Sequence, residues 1–322
     1  MTANTPEALA RLEDAELARR RPASLWRDTL SVVLRQRSAV IGLVILGVMI
    51  VAAVFAPFIA PYAPEAQLYA EGGQRLAGPC VHLLGCPADT PQFIFGLDHN
   101  ARDVFSRVLY GARISLQVGI LTVGFAIFVG ALIGAVAGYV GGIWDNILMR
   151  IMDVVLSFPA LILAIALVVA FTTVEVPFLD NPLYRAMFAI GIVSIPVYAR
   201  VMRASVLSIR EREFVTASRA LGESGRGLLF RRVVPNALTP LIVQGTLGIA
   251  SAILEVAALS FLGLGAQEPT AEWGSMIGQV RNSIFSAPHL LIFPGVALSL
   301  SVLGFNLLGD GLRDALDPRL NR

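Results

Sequence analysis

Six stretches, at 39–60, 114–139, 147–172, 183–207, 237–264 and 290–309, are almost free of charged residues. Each is about 20 residues or longer, the length a helix needs to cross roughly 30 Å of hydrocarbon. Hydrocarbon offers no partner to a backbone N–H or C=O, so such segments must bond internally, as helices. The sequence therefore reads as an all-α, polytopic membrane protein with six transmembrane helices. The composition agrees, with 56% hydrophobic and 15% charged residues, against about 25% charged in soluble domains. Mean hydropathy is +0.71. The first apolar stretch exceeds the length of a secretory h-region, and an arginine-rich segment precedes it, so it is expected to stay as a span.

All 25 basic residues are arginine; the chain contains no lysine. That excludes a phosphate-binding loop of the G-x-x-x-x-G-K-[ST] type and a Schiff-base lysine. Any nucleotide energy this protein uses must come from another chain. With a cytoplasmic N-terminus, 19 arginines fall on the inner side and 6 on the outer. The positive-inside rule then places both termini in the cytoplasm.

On this topology residues 1–38 form a cytoplasmic tail with an interfacial helix near Trp26, and 39–60 the first transmembrane helix. Residues 61–112 form a periplasmic or extracellular loop rich in turn residues, with a long insertion at 66–92. Residues 113–312 form a five-helix core that includes a cytoplasmic loop at 208–236, and 313–322 a cytoplasmic tail. Pro159 is expected to kink the third span and Pro196 the fourth. Gly130, Gly134 and Gly138 make a tandem G-x-x-x-G ridge on the second span, where another helix can approach closely.

The cytoplasmic loop combines charge with order. It reads as a short helix ending near Leu221, a break at Gly222, and a second basic piece at 225–232 before Pro235 and Asn236. Arginines alternate with Phe214, Val215, Leu221, Leu228, Leu229 and Phe230, so the loop suits either a groove on another protein or a surface of anionic membrane lipid.

Glu255 stands inside the fifth span, where an ionised carboxylate costs several kcal/mol unless it faces water or a partner. It is either a pathway residue that meets a substrate amine or an internal lock paired with an arginine or the backbone. Asp153 is spaced to pair with Arg150 at i, i+3. Cys80 and Cys86 can close a disulfide in an oxidising compartment, or bind metal together with His82, although no fourth ligand is evident. No metal site is assigned. No catalytic residue is assigned either, because no nucleophile, base and carboxylate occur at motif spacing.

Thr216-Ala217-Ser218, then Gly222, then Val234-Pro235-Asn236 resembles the EAA loop of permease subunits of binding-protein-dependent ABC importers. Several further segments resemble the dipeptide/oligopeptide/nickel permeases, C-type subunit. They are Gly96-Leu97-Asp98, Arg102-Asp103-Val104-Phe105-Ser106-Arg107, Tyr110-Gly111-Ala112-Arg113, Ala258-Leu259-Ser260-Phe261-Leu262-Gly263 and Asn306-Leu307-Leu308-Gly309-Asp310-Gly311. Thr216 replaces the glutamate of the triplet, Ser218 its second alanine, and Ala101 a glycine usual before Arg-Asp.

The resemblance implies a type I ABC importer permease fold and an inner-membrane, non-catalytic subunit carrying peptides by alternating access. It implies four kinds of partner: a homologous second permease, two cytoplasmic ATPases that hold ATP and magnesium, an extracytoplasmic substrate-binding protein, and membrane lipid. No cofactor on this chain and no nucleic acid is implied. The loop at 208–236 would couple to the ATPase through Phe214, Thr216, Ala217, Ser218, Arg219, Leu221 and Gly222. The competing reading is a self-contained channel or secondary carrier, whose spans should hold more ionisable groups than these do.

Overall fold

The computed structural model describes residues 33–87, 91–173 and 175–316. The interfacial helix expected near Trp26 and the tail beyond 316 lie outside the described residues. Nine helices matter here: α1 (Arg37–Ile59), α2 (Val104–Val140), α3 (Gly142–Leu156), α4 (Ala160–Phe171), α5 (Pro182–Arg210), α6 (Glu213–Ala220), α7 (Gly225–Phe261), α8 (Trp273–Gln279) and α9 (His289–Leu316). Five of them (α1, α2, α5, α7 and α9) are long and apolar enough to cross a membrane. The pair α3 and α4 makes a sixth where it is taken as one broken span.

That pair corrects the expectation of one kinked helix at 147–172. Its two halves meet at 95°. Pro159 has no N–H to continue the ladder, and it biases Phe158 away from the helical region. The chain closes α3 instead with Ser157, whose Oγ donates to the Val154 carbonyl at 2.7 Å, and restarts α4 with Pro159 as N-cap. The break at Pro159 is therefore a corner. By contrast α5 runs through Pro196 as one helix.

The centre of the bundle is the contact of α2 with α5, flanked by α7; α1 packs on α9 and α2. The glycine ridge of α2 lies in this contact. A Cβ on Gly130 would sit 2.8 Å from the Ile195 carbonyl oxygen, one on Gly134 2.2 Å from that of Ala199, and one on Gly138 2.9 Å from that of Arg203. Successive glycines four apart meet carbonyls four apart, so the two backbones touch for more than two turns.

At the N-terminal end of α2 the loops are held by charge. Asp98, Arg102 and Arg107 are all buried, with Arg107 at 1% exposure. Asp98 accepts from Arg102 Nε at 2.7 Å and from the Arg102 amide at 2.9 Å, and lies 3.6 Å from Arg107 Nε. Arg107 also donates to the carbonyls of Pro64 and Pro269, and Arg102 to Glu268 at 3.2 Å, so both ends of the α1–α2 loop and the α7–α8 loop meet on two guanidinium groups. Ala101, inside this turn, has φ +54, a left-handed conformation costing a side chain roughly 1–2 kcal/mol. That is the physical reason a glycine suits this position.

Next to it Asp103 caps α2, accepting from the Ser106 amide at 2.8 Å; burial pushes its carboxyl up, and the bonds from Ser106 pull it back. Glu272 caps α8 in the same way, accepting from the amides of Gly274 and Ser275, both at 2.8 Å, and burial pushes its carboxyl up too. Trp273 is fully buried and donates from its indole to the Val108 carbonyl at 3.1 Å. The insertion hangs on this base: Leu68, Phe93, Leu97 and Ala101 form a small core, and Cys80 exchanges two backbone hydrogen bonds with Phe93.

Three substitutions test this architecture. Gly134→Leu forces α2 off α5 and should lower stability by about 1–3 kcal/mol or more, read as a drop in melting temperature of the detergent-purified protein. Asp98→Ala strands two buried guanidinium groups and should cost about 3–5 kcal/mol. Glu268→Ala, at a half-exposed position, should cost under about 1 kcal/mol in the same assay.

Candidate coupling surface

The seven residues expected at the ATPase contact lie together on α6 and the turn that ends it. Phe214, Thr216, Ala217, Arg219 and Leu221 are exposed, Leu221 at 89%, and Ser218 is half-buried. Their presentation depends on Val215, which the sequence offers as one apolar residue of the loop among six, without an anchoring role. Val215 is fully buried among Met202, Val206, Ile209, Leu228 and Leu229, so one side chain pins α6 onto the ends of α5 and α7. Its signal was present in the sequence as a single β-branched residue between charged and polar neighbours, too weak on one turn to define a face.

The end of α6 is a Schellman motif. The Glu223 amide donates to the Ser218 carbonyl at 3.2 Å and the Gly222 amide to that of Arg219 at 3.0 Å. Gly222 has φ +85, as the motif requires, and a Cβ there would meet nothing within 4 Å. Glycine is demanded at this position by the backbone and not by crowding.

The second basic piece is not a separate helix. It forms the first turns of α7, with Ser224 as N-cap accepting from the Gly227 amide at 3.2 Å. A wide π-turn at Leu228–Val233 precedes Pro235. Pro235 has no N–H for an i→i−4 bond, and Asn236 Nδ2 donates instead to the Arg232 carbonyl at 2.6 Å. Arg232 pairs with Glu223 at 3.1 Å and Arg210 donates to the Gly138 carbonyl at 2.8 Å, so the α6 hairpin is tied to α2, α5 and α7.

Two ion pairs join the α3 half of the broken span to α5. Asp145 holds Arg203 through both oxygens, at 2.5 and 2.6 Å. Asp153 pairs with Arg200 at 2.5 Å. This replaces the expected Asp153–Arg150 pair, because α3 lies along α5 and offers Asp153 a partner across the helix contact. The glycine ridge of α2 lies beside these pairs.

Glu255 lies far from the loop, about 45 Å from Gly225 along α7 by helical rise. It is half-buried, and among the described residues it forms no hydrogen bond or ion pair, so no arginine there serves as its lock. Cys80 and Cys86 are joined in a disulfide. Their sulfurs are therefore not thiolate ligands, which removes the metal reading with His82. Among the described residues no group of three or more His, Cys, Asp or Glu is placed to hold a metal ion.

The profile described as binding-protein-dependent transport system inner membrane component matches residues 130–322. The profile described as the N-terminal TM domain of oligopeptide transport permease C matches residues 24–79. The dipeptide transport system permease protein DppC of Alkalihalophilus pseudofirmus is 43% identical over 299 residues, which cover 92% of this chain and 91% of that protein. The glutathione transport system permease protein GsiD of Escherichia coli O157:H7 is 40% identical over 299 residues, with the same coverage. These matches speak for a permease and against a self-contained channel. The chain belongs to the family of binding-protein-dependent transport system inner membrane components: it is a multi-pass, non-catalytic permease subunit of an ATP-driven ABC importer, working with ATPase and binding-protein subunits.

Proposed function

We propose that this permease imports di- or oligopeptides, forming half of the translocation path beside a homologous second permease. Two cytoplasmic ATPases holding ATP and magnesium drive it, and an extracytoplasmic binding protein delivers cargo. Both termini face the cytoplasm, which the distribution of arginine favours. The Cys80–Cys86 disulfide supports placing the opposite loop in an oxidising compartment. The names of the relatives support the cargo class, since dipeptides and glutathione both present a free primary ammonium beside an amide backbone.

The observation that carries the coupling reading is the build of α6. Its outer surface offers Phe214, Arg219 and Leu221, while Val215 and the Glu223–Arg232 pair hold its inner side to two spans. Closure of an ATPase around a helix held this way moves α5 and α7 with it. A slack basic loop resting on lipid would need neither the buried anchor nor the Schellman turn.

Gly222→Val tests the coupling. A β-branched residue at φ +85 strains the turn. In proteoliposomes holding the whole transporter, uptake should fall at least about tenfold, equivalent to about 1.4 kcal/mol, while ATP hydrolysis continues and the complex stays assembled. Gly222→Asn should be milder, because asparagine tolerates this conformation. Normal uptake by Gly222→Val refutes the coupling role. The cargo class is tested by the mass of the ligand retained on the co-purified binding protein, where a non-peptide would refute it.

A further inference from the structure

Glu255 is the one intramembrane carboxylate that the architecture described above leaves unused. We propose that Glu255 is the acceptor for the ammonium group of the cargo, with the Tyr198 hydroxyl as the next acceptor along the same helix, so that the permease itself selects for a free primary ammonium. This rests on the peptide reading above.

The first ground is the absence of a counter-ion. Glu255 has no hydrogen bond or ion pair among the described residues, and none of Arg102, Arg107, Arg113, Arg185 and Arg281 at the same end of the bundle pairs with it. Arg102 and Arg107 serve Asp98 and Glu268, and Arg281 donates to the Gly278 carbonyl and lies over the Phe261 ring. A carboxylate left unpaired at this depth must face water or a cation, because facing lipid would cost several kcal/mol.

The second ground is the surface that carries it. Glu255, Ser251, Gly248 and Gln244 follow one another at spacings of four, three and four, a single stripe on α7. Each is exposed or half-exposed, while Ala252, Ile253, Val256 and Ala257 beside them are buried in the bundle. The stripe descends into a groove of about 440 Å³ between α5, α7 and α9, lined by Val201, Thr239, Gln244 and Arg313. A cargo leaving Glu255 thus has polar contacts along about 16 Å of helix by helical rise, with a cation at the far end to suit a carboxylate.

The third ground is Tyr198. Its ring is buried, and its hydroxyl lies against Gly248, where a Cβ would come within 1.9 Å. Glycine at 248 lets the phenol reach α7 about two turns from Glu255. An ammonium carries three N–H donors. The carboxylate oxygens accept from it first, in bonds of a charged kind that contribute about 1.5–3 kcal/mol each, and the phenol oxygen offers the next acceptor down the stripe.

The test uses the whole transporter in proteoliposomes, with a dipeptide saturating its binding protein, and reads uptake per ATP hydrolysed. Glu255→Gln, of the same shape without the charge, should lower that ratio about tenfold, equivalent to about 1.4 kcal/mol. Glu255→Asp should retain a substantial part of it. The N-acetyl form of the dipeptide, taken at saturation, should be carried poorly by the wild type and be indifferent to Glu255→Gln.

Unchanged uptake per ATP in Glu255→Gln overturns the assignment. So does a loss that only parallels loss of assembled complex on gel filtration, which marks a structural role, or equal transport of both forms of the dipeptide by the wild type. A wild-type transporter with no ATP-dependent peptide uptake refutes the functional reading instead, so the two failures are distinguishable.

Discussion

The backbone contact between α2 and α5 carries the rest of the structure. Lipid tails are as apolar as leucine, so burying aliphatic side chains between spans gains little, and association relies on close packing. Gly130, Gly134 and Gly138 provide it by removing the Cβ atoms that would hold the helices apart. Everything placed on α5 inherits that fixed position: the ion pairs to α3, the end of the helix at Arg210, and α6 beyond it. Arg210 closes the arrangement by bonding the Gly138 carbonyl, at the last glycine of the ridge.

Charge is confined by the same solvent. At one end Asp98, Arg102 and Arg107 are withdrawn from water but share enough partners to satisfy one another, and they fasten two loops over the bundle. At the other end Asp145, Asp153, Glu223 and Glu211 each hold an arginine. Such pairs resist separation, since a guanidinium stranded without its carboxylate is costly wherever water is scarce. The two ends are therefore stiff, and Glu255, inside the fifth apolar stretch, has no partner among the described residues.

Much of this was legible in the residues, because the signals involved are local. The length of an apolar run fixes a span, a glycine in a left-handed turn fixes the end of α6, and glycines four apart fix a contact face. What escaped were properties of neighbours. A proline inside an apolar run is compatible with either a kink or a corner, and only the ion pairs pulling α3 along α5 separate the two at Pro159. Asp153 had an arginine three residues away, yet a helix surface pair contributes only a few tenths of a kcal/mol, which a partner on α5 easily outweighs. The cluster of Asp98, Arg102 and Arg107 was visible as a string of residues resembling a family, with no sign that Arg107 donates to a carbonyl 162 positions away. Val215 was visible as an apolar residue of the loop, with no sign of the two spans it anchors to.

The position of Val215 also decides what kind of motion α6 can pass on. An isolated eight-residue helix is marginal in water, so a force applied to it would unwind it before moving anything else. Burying one β-branched residue at its centre and closing its end with a Schellman turn makes the helix part of the α5 and α7 termini. The bundle around those spans is close-packed and gives way as bodies, not by bending. On the proposed coupling, rotation delivered at α6 would reach Glu255 along α7, through a helix whose π-turn and Pro235 lie next to the point where the force enters. The length beyond Pro240 is free of proline, so that part of α7 carries Glu255 as one piece.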